Sequence, residues 1–164
     1  MSTNKNQISF RKAEKKDVKL VIYFVKALAD YVKMSDEVKI DEEIFTKWMF
    51  DKNSAEVIFL VKDGKEIGIA LYLYLFSTFN CKPSLYLEDL FIEEEHRNKG
   101  YGKLIFKELA KIAKENGLDR LEWTCLDKNE KGLIFYNSLG AKRLNDRRLL
   151  RLENDELTEF LSNF

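Results

Sequence analysis

The chain has little of what metal, redox or disulfide chemistry requires, since its 164 residues include one histidine and two cysteines. Cys81 and Cys125 are far apart and lack metal-ligand spacing, so both read as free thiols, Cys125 within an apolar strand pattern and Cys81 in a loop. His96, the lone histidine, reads as a solvated loop residue. Net charge is also missing: 28 Lys plus Arg balance 28 Asp plus Glu, leaving no electrostatic pull toward nucleic acid or an anionic membrane. No apolar run approaches the ~20 residues that cross a bilayer, and the opening MSTNKNQISFRK has no apolar signal core. The expectation is a soluble cytoplasmic protein with neither nucleic-acid nor membrane partners. Internal repeats, low-complexity tracts and linkers are absent too. Two phosphate-binding motifs fail: a Rossmann turn needs glycine where Ile105 stands, and a Walker loop needs glycine at Arg97 and Ser or Thr at Leu104.

What the chain does have is 45% hydrophobic and 13% aromatic residues, enough for one continuous domain, 1–164, that buries roughly two thirds of its unfolded surface. Its most informative stretch is Tyr86 to Gly102, YLEDLFIEEEHRNKGYG. An apolar strand runs there into a glycine-containing turn and then an amphipathic helix. Gly100 and Gly102 let the backbone curl with its N–H groups inward, and the helix start adds unpaired amides and the positive end of its dipole. Such a turn suits a pyrophosphate, although glycines alone fit an ordinary strand-to-helix turn equally well.

Periodicity supplies the other elements. A strand is expected over Ile8–Arg11 and a helix over about Lys16–Val32, with Val18, Val21, Ile22, Val25, Leu28, Ala29 and Val32 on one face. Asp41 reads as the N-cap of a short helix that buries Ile44, Phe45, Trp48 and Met49. Asp63-Gly64-Lys65 between Glu56–Lys62 and Glu66–Phe76 signals an antiparallel hairpin. Leu85–Ile92 is a fourth strand, Lys103–Glu115 a helix stopped near Gly117, and Arg120–Leu126 a fifth strand. A short helix over Asn129–Leu139 ends at Gly140, followed by strands at Ala141–Leu144 and Leu149–Leu152 and a helix from about Asp155. The expected architecture is α/β (α+β): a mixed, mostly antiparallel sheet of about seven strands with helices on both faces.

The Arg97-x-x-Gly100-x-Gly102 turn resembles the acetyl-CoA pyrophosphate loop of the GNAT superfamily of N-acetyltransferases. YLEDLFI, RNKGYG, NEKGLIFY before a Gly-Ala pair, the tail RRLLRLENDELTEFL and the opening FRKAEKKDVKLVIYFVKALADY further resemble the diamine (spermidine/spermine) N-acetyltransferase family over nearly the whole chain. The resemblance implies a GNAT fold, acetyl transfer from acetyl-CoA to a primary amine, a homodimer and no metal. It places the pantetheine arm along the backbone of Leu90, Phe91 and Ile92. It places the pyrophosphate within Asn98, Lys99, Gly100, Tyr101, Gly102 and Lys103, with Arg97 and the lysines adding charge, and the cofactor arm against Asn129.

The chemistry asks for a base and an acid. An alkylammonium of pKa near 10 must lose its proton before attacking a thioester. Successive strand residues point to opposite faces, so only one of Glu88 and Asp89 faces a given cleft directly. By motif position Glu88 matches the family's base, acting through ordered water, and Asp89 fixes neighbouring polar groups; mere exposure of both carboxylates is the alternative. Tyr136 matches the family's proton donor to the departing thiolate; taken alone, it reads rather as a half-buried packing residue beside Phe135.

For the amine, Tyr31, Asp36, Glu37 and Glu88 are the candidate contacts. The chain departs from the family here: Val32 and Ser35 stand where Glu is usual, and Ser77-Thr78-Phe79-Asn80 has neither the expected acid nor the tryptophan. Polyamines are therefore expected to lose their advantage over short diamines and lysine-like amino acids. Two other classes stay open, acetylation of a protein N-terminus or lysine and a non-catalytic CoA-binding module.

Overall fold

The structure, a computed structural model, describes residues 7–163. These separate into two compact units, one ending at Asn129 and one beginning at Glu130.

In the first unit, β1 (Ile8–Lys12) leads through a 3-10 turn to α1 (Val18–Val32), and α2 (Glu42–Thr46) continues into a π-helical turn over Lys47–Asp51. Strands β2 (Glu56–Lys62), β3 (Lys65–Ser77) and β4 (Lys82–Ile92) follow, then α3 (Tyr101–Glu115) and β5 (Leu121–Trp123). The five strands form one sheet in the order β1-β2-β3-β4-β5, antiparallel except for the parallel β4–β5 pair. The β2–β3 turn is the one expected: Asp63 and Gly64 both take positive φ, 50° and 82°, as a two-residue hairpin whose twist matches its strands requires.

Helices cover both faces. Val21 and Phe24 of α1 pack on Val57, Phe59, Val61, Ile69, Leu71 and Phe91, alternate residues of three adjacent strands. α3 buries Ile105, Phe106 and Leu109 and meets the other face through the Phe106–Trp123 ring contact, 4.9 Å between centroids. Arg11, across the sheet pair from Phe59, lies over that ring and binds both Asp17 and Glu66, fixing the start of α1 to the sheet.

The second unit holds α4 (Glu130–Ser138), which stops at Gly140 with φ 78°, and α5 (Asn154–Ser162), which opens on a capping box of Glu153 and Glu156.

Several expectations change. The sheet of the described residues has five strands, because Ala141–Leu144 and Leu149–Leu152 adopt no regular structure. A strand exists only against a partner edge, and Leu149 and Leu150 are 81% and 88% exposed. β5 ends at Trp123 rather than Leu126, so Cys125 lies beyond the strand. Asp41 caps α2 as expected, its carboxylate accepting from the Ile44 N–H at 2.9 Å. Of the apolar residues assigned to that helix's buried side, however, Ile44 and Trp48 are 59% and 56% exposed and Met49 is buried. The π turn rotates the later residues out of simple 3.6-residue phase.

Gly68 is fixed by close approach: a Cβ there would stand 2.8 Å from the Phe91 carbonyl oxygen. Gly68→Ala should therefore push β3 from β4 and cost about 1–3 kcal/mol, read as a lower urea midpoint. An unchanged midpoint would show that the strands yield without strain.

Candidate active site

The site begins where β4 loses a neighbour. On one side β3 pairs with it as far as Ile92; on the other, β5 pairs only with Leu85, Tyr86 and Leu87. From Glu88 onward no strand among the described residues lies against the β4 edge facing β5, and its backbone groups are available to a ligand with amide-like donors and acceptors.

A β-bulge sits at the same point. Leu87 opposes Tyr72 and Asp89 opposes Leu71, leaving Glu88 as the extra residue. The strict alternation used above to separate Glu88 from Asp89 therefore does not hold here, since the bulge interrupts it. Glu88 is exposed. Asp89, opposite Leu71 and two residues before Phe91, lies on the α1 face and is partly buried. Burial, with the neighbouring Glu88 charge second, pushes the Asp89 carboxyl up to about 6. No hydrogen bond or ion pair holds it among the described residues, so the expected contact to neighbouring polar groups is not made.

Past Ile92 the chain makes a 3-10 turn over Glu94–His96 and then the curled segment before α3. Asn98 and Gly100 both have positive φ, 60° and 83°. Gly100 occupies the N-cap and supplies no capping side chain, so the first-turn amides of Tyr101, Gly102 and Lys103 are left for a ligand. The helix thus starts two residues before the expected Lys103, which brings Tyr101 and Gly102 into its first turn. Lys99 is folded back, Nζ donating to the Glu95 carbonyl at 2.6 Å.

The Arg97 side chain folds back onto β4 and the end of α1. Its Nε donates to the Ile92 carbonyl at 2.8 Å, and its guanidinium carbon lies 4.4 Å from the Tyr31 ring centroid and 5.1 Å from that of Phe91. One lone pair of the Ile92 carbonyl is thereby taken. Tyr31, at the end of α1, is exposed on its other side; Asp36 and Glu37 follow in an exposed 3-10 turn. His96 is not solvated: its side chain retains 17% of its exposure and its Nδ1 is buried without a hydrogen-bond partner among the described residues. Glu93, Glu95 and His96 bring ligand atoms within 4.8 Å of one another, but Glu93 already accepts from the Tyr23 hydroxyl and faces Lys65.

Asn129 ends the first unit, its N–H donating to the Leu126 carbonyl. In the second unit Tyr136 is half-buried on α4, its ring 5.3 Å from that of Phe135.

An unpaired strand edge running into an amide-lined turn at a helix start has the form of a site for a long, phosphate-bearing cosubstrate. Residues 24–141 match the model of the acetyltransferase (GNAT) family, and the chain belongs to that family; it is an acyltransferase. It is 30% identical over 148 residues to thialysine N-epsilon-acetyltransferase of Sus scrofa, spanning 85% of this chain and 86% of that one. It is also 38% identical over 90 residues to L-ornithine N5-acetyltransferase of Arabidopsis thaliana, spanning 55% and 40%. Among solved structures, an integron cassette protein from the mobile metagenome of V. cholerae superposes with a TM-score of 0.78 at 26% identity, covering 94% of this chain and 97% of that one.

The raised Asp89 carboxyl makes a stability prediction. The folded state holds this proton more tightly than the unfolded chain, whose aspartates titrate near 3.9. The contribution is present below about pH 4 and lost as pH rises through about 6. Asp89→Asn should therefore raise Tm at pH 7.5, by the equivalent of roughly 1–2 kcal/mol, and the gain should fade by about pH 4. An equal gain at both pH values would show that charge burial is not its cause.

Proposed function

We propose that the chain is one continuous acetyltransferase domain that transfers the acetyl group of acetyl-CoA to a primary amine of a small molecule, by direct attack in a ternary complex. The observation that carries this is the free β4 edge leading into the Arg97-x-x-Gly100-x-Gly102 curl. The pantetheine amides pair with the backbone of Leu90, Phe91 and Ile92 as an added strand would. Asn98, Lys99, Gly100, Tyr101, Gly102 and Lys103 enclose the pyrophosphate through backbone N–H groups, with the Arg97 backbone beginning the curl and Asn129 contacting the cofactor arm.

Glu88, exposed at the bulge, takes the ammonium proton through ordered water. Asp89, in drier surroundings, holds the ammonium before the proton leaves. The freed nitrogen attacks the thioester carbon, the C–S bond breaks, and Tyr136 protonates the departing thiolate. Tyr31, Asp36 and Glu37 complete the amine site. No metal takes part. The relatives named above act, by their names, on thialysine and ornithine, which supports short diamino compounds over long polyamines for a chain that carries Val32, Thr78 and Asn80 where carboxylates would grip distant ammonium groups. Acetylation of a protein or peptide amine is the second reading.

We further propose a homodimer, supported by the exposed leucines of residues 141–152, and a cytoplasmic location. No helix among the described residues is long and apolar enough to cross a membrane.

Acetyl-CoA should raise Tm where NAD and ATP do not, by about 2.7 kcal/mol of stabilisation at a hundredfold excess over Kd. Gly102→Asp should abolish that shift by placing a carboxylate among the phosphates; a shift of undiminished size in the variant would show the loop to be misassigned.

A panel of polyamines, diamines, lysine-like amino acids, aminoglycosides and peptides, followed by thiol release, tests the reaction itself. Short diamino substrates should lead it; a peptide in first place would favour the second reading. Tyr136→Phe should lower the rate of the chemical step ~10- to 1000-fold with acetyl-CoA affinity nearly unchanged. A chemical step as fast as in the parent would make Tyr136 a packing residue.

A further inference from the structure

We infer that Glu93, Glu95 and His96 bind one first-row divalent cation, zinc by preference, between the end of β4 and the curl that precedes α3. The site lies outside the acetyl-transfer chemistry proposed above and does not depend on it. One oxygen of each carboxylate and one ring nitrogen of His96 lie within 4.8 Å of one another. Ligands around a tetrahedral zinc ion stand about 3.4 Å apart. Glu95 is exposed, so its side chain is free to close the difference.

His96 distinguishes this cluster from an ordinary acidic turn. Its side chain keeps only 17% of its exposure, and its Nδ1 is buried without a hydrogen-bond partner among the described residues. Its Nε2 stands 3.9 Å from a Glu95 carboxylate oxygen, too far for a hydrogen bond. A buried polar ring left unpaired costs free energy, and a bound ion is one of the partners that removes the cost. Backbone contacts hold the ligands in register. The Glu93 N–H donates to the Ile67 carbonyl at 3.0 Å and the His96 N–H to the Glu93 carbonyl at 2.9 Å, while the Tyr101 ring stands 6.5 Å from the imidazole.

Glu93 has two prior contacts, and neither blocks an ion. The Tyr23 hydroxyl donates to Oε1 at 3.2 Å, which orients the carboxylate as a hydrogen bond from outside orients many metal ligands. Lys65 Nζ lies 3.9 Å from Oε2, at the limit of an ion pair, and its side chain is 70% exposed, so it moves into water at little cost. Two carboxylates against one lysine and a neutral imidazole leave the cluster negative. One imidazole with two carboxylates suits zinc, whereas calcium and magnesium favour oxygen alone.

The chain has a single histidine, so an untagged, isotope-labelled sample has one imidazole to observe by NMR. One equivalent of zinc chloride added to the metal-free full chain should shift the His96 ring nitrogens, and calorimetry should find one zinc per chain that excess magnesium does not displace. His96→Gln and Glu95→Gln should each weaken zinc by roughly 10- to 100-fold, at least the cost of losing a group that only orients a ligand. Lys65→Met should tighten it by removing a competing cation, and a Cys81→Ser, Cys125→Ser double variant should bind as the parent does. The parent spectrum needs no substitution, so it decides the matter even if a variant fails to fold. An imidazole unmoved by zinc, or zinc held as tightly by His96→Gln as by the parent, would overturn the inference. So would displacement by equimolar magnesium, or loss of zinc in the double variant, which would put the ion on the thiols.

Discussion

Backbone N–H and C=O groups taken from water must find partners, and β4 is where this chain leaves that requirement unmet by its own strands. β3 serves one edge of β4 as far as Ile92, whereas β5 serves the other only to Leu87. An unpaired edge in the middle of a sheet is a cost in isolation, because its groups are half-shielded from solvent. It becomes an asset when a ligand with peptide-like amides takes the vacant place. The parting of β4 from β5, the bulge at Glu88 and the curl before α3 lie in succession along residues 88–102, so in the proposed complex one continuous piece of chain would meet the reacting end, the arm and the phosphates.

Packing on the two faces holds that piece in place. Phe91 anchors β4 to the α1 core and Ile105 and Leu109 anchor α3, while Gly68 lets β3 approach closely enough to keep Phe91 seated. The bulge has an electrostatic consequence as well. It sets two adjacent carboxylates in unlike surroundings, Glu88 in water and Asp89 against the α1 face, where burial raises its pKa. Unlike environments for neighbouring acids are how a site assigns them different tasks.

Much of this was legible in the sequence where the determinant is local. Asp63-Gly64 specifies its turn through the φ values both residues tolerate, Asp41 specifies a cap, and the spacing of Val21, Ile22 and Ala29 specifies a buried helix face, although the fully buried Phe24 beside them stands outside the expected set. Gly100 likewise marks the curl before α3. What was illegible depends on partners distant in sequence. A bulge changes the count on one strand against another, so nothing in LEDLF alone reveals that Glu88 is the extra residue. The stretches 141–144 and 149–152 have strand-like composition, but strand formation is decided by an available edge. Arg97 fits the phosphate motif by position, and only the rings of Tyr31 and Phe91 show where its side chain rests. The exposure of Trp48 follows from a π turn that periodicity does not announce.

Amide hydrogen exchange with and without acetyl-CoA tests the central claim most directly, because the claim concerns specific N–H groups. Slower exchange on binding is predicted along Leu90–Ile92 and across Asn98–Lys103, with the β1–β2 ladder changing little. Binding that leaves both segments at their free-state rates would contradict the account, since the cosubstrate would then lie somewhere other than the open edge of β4.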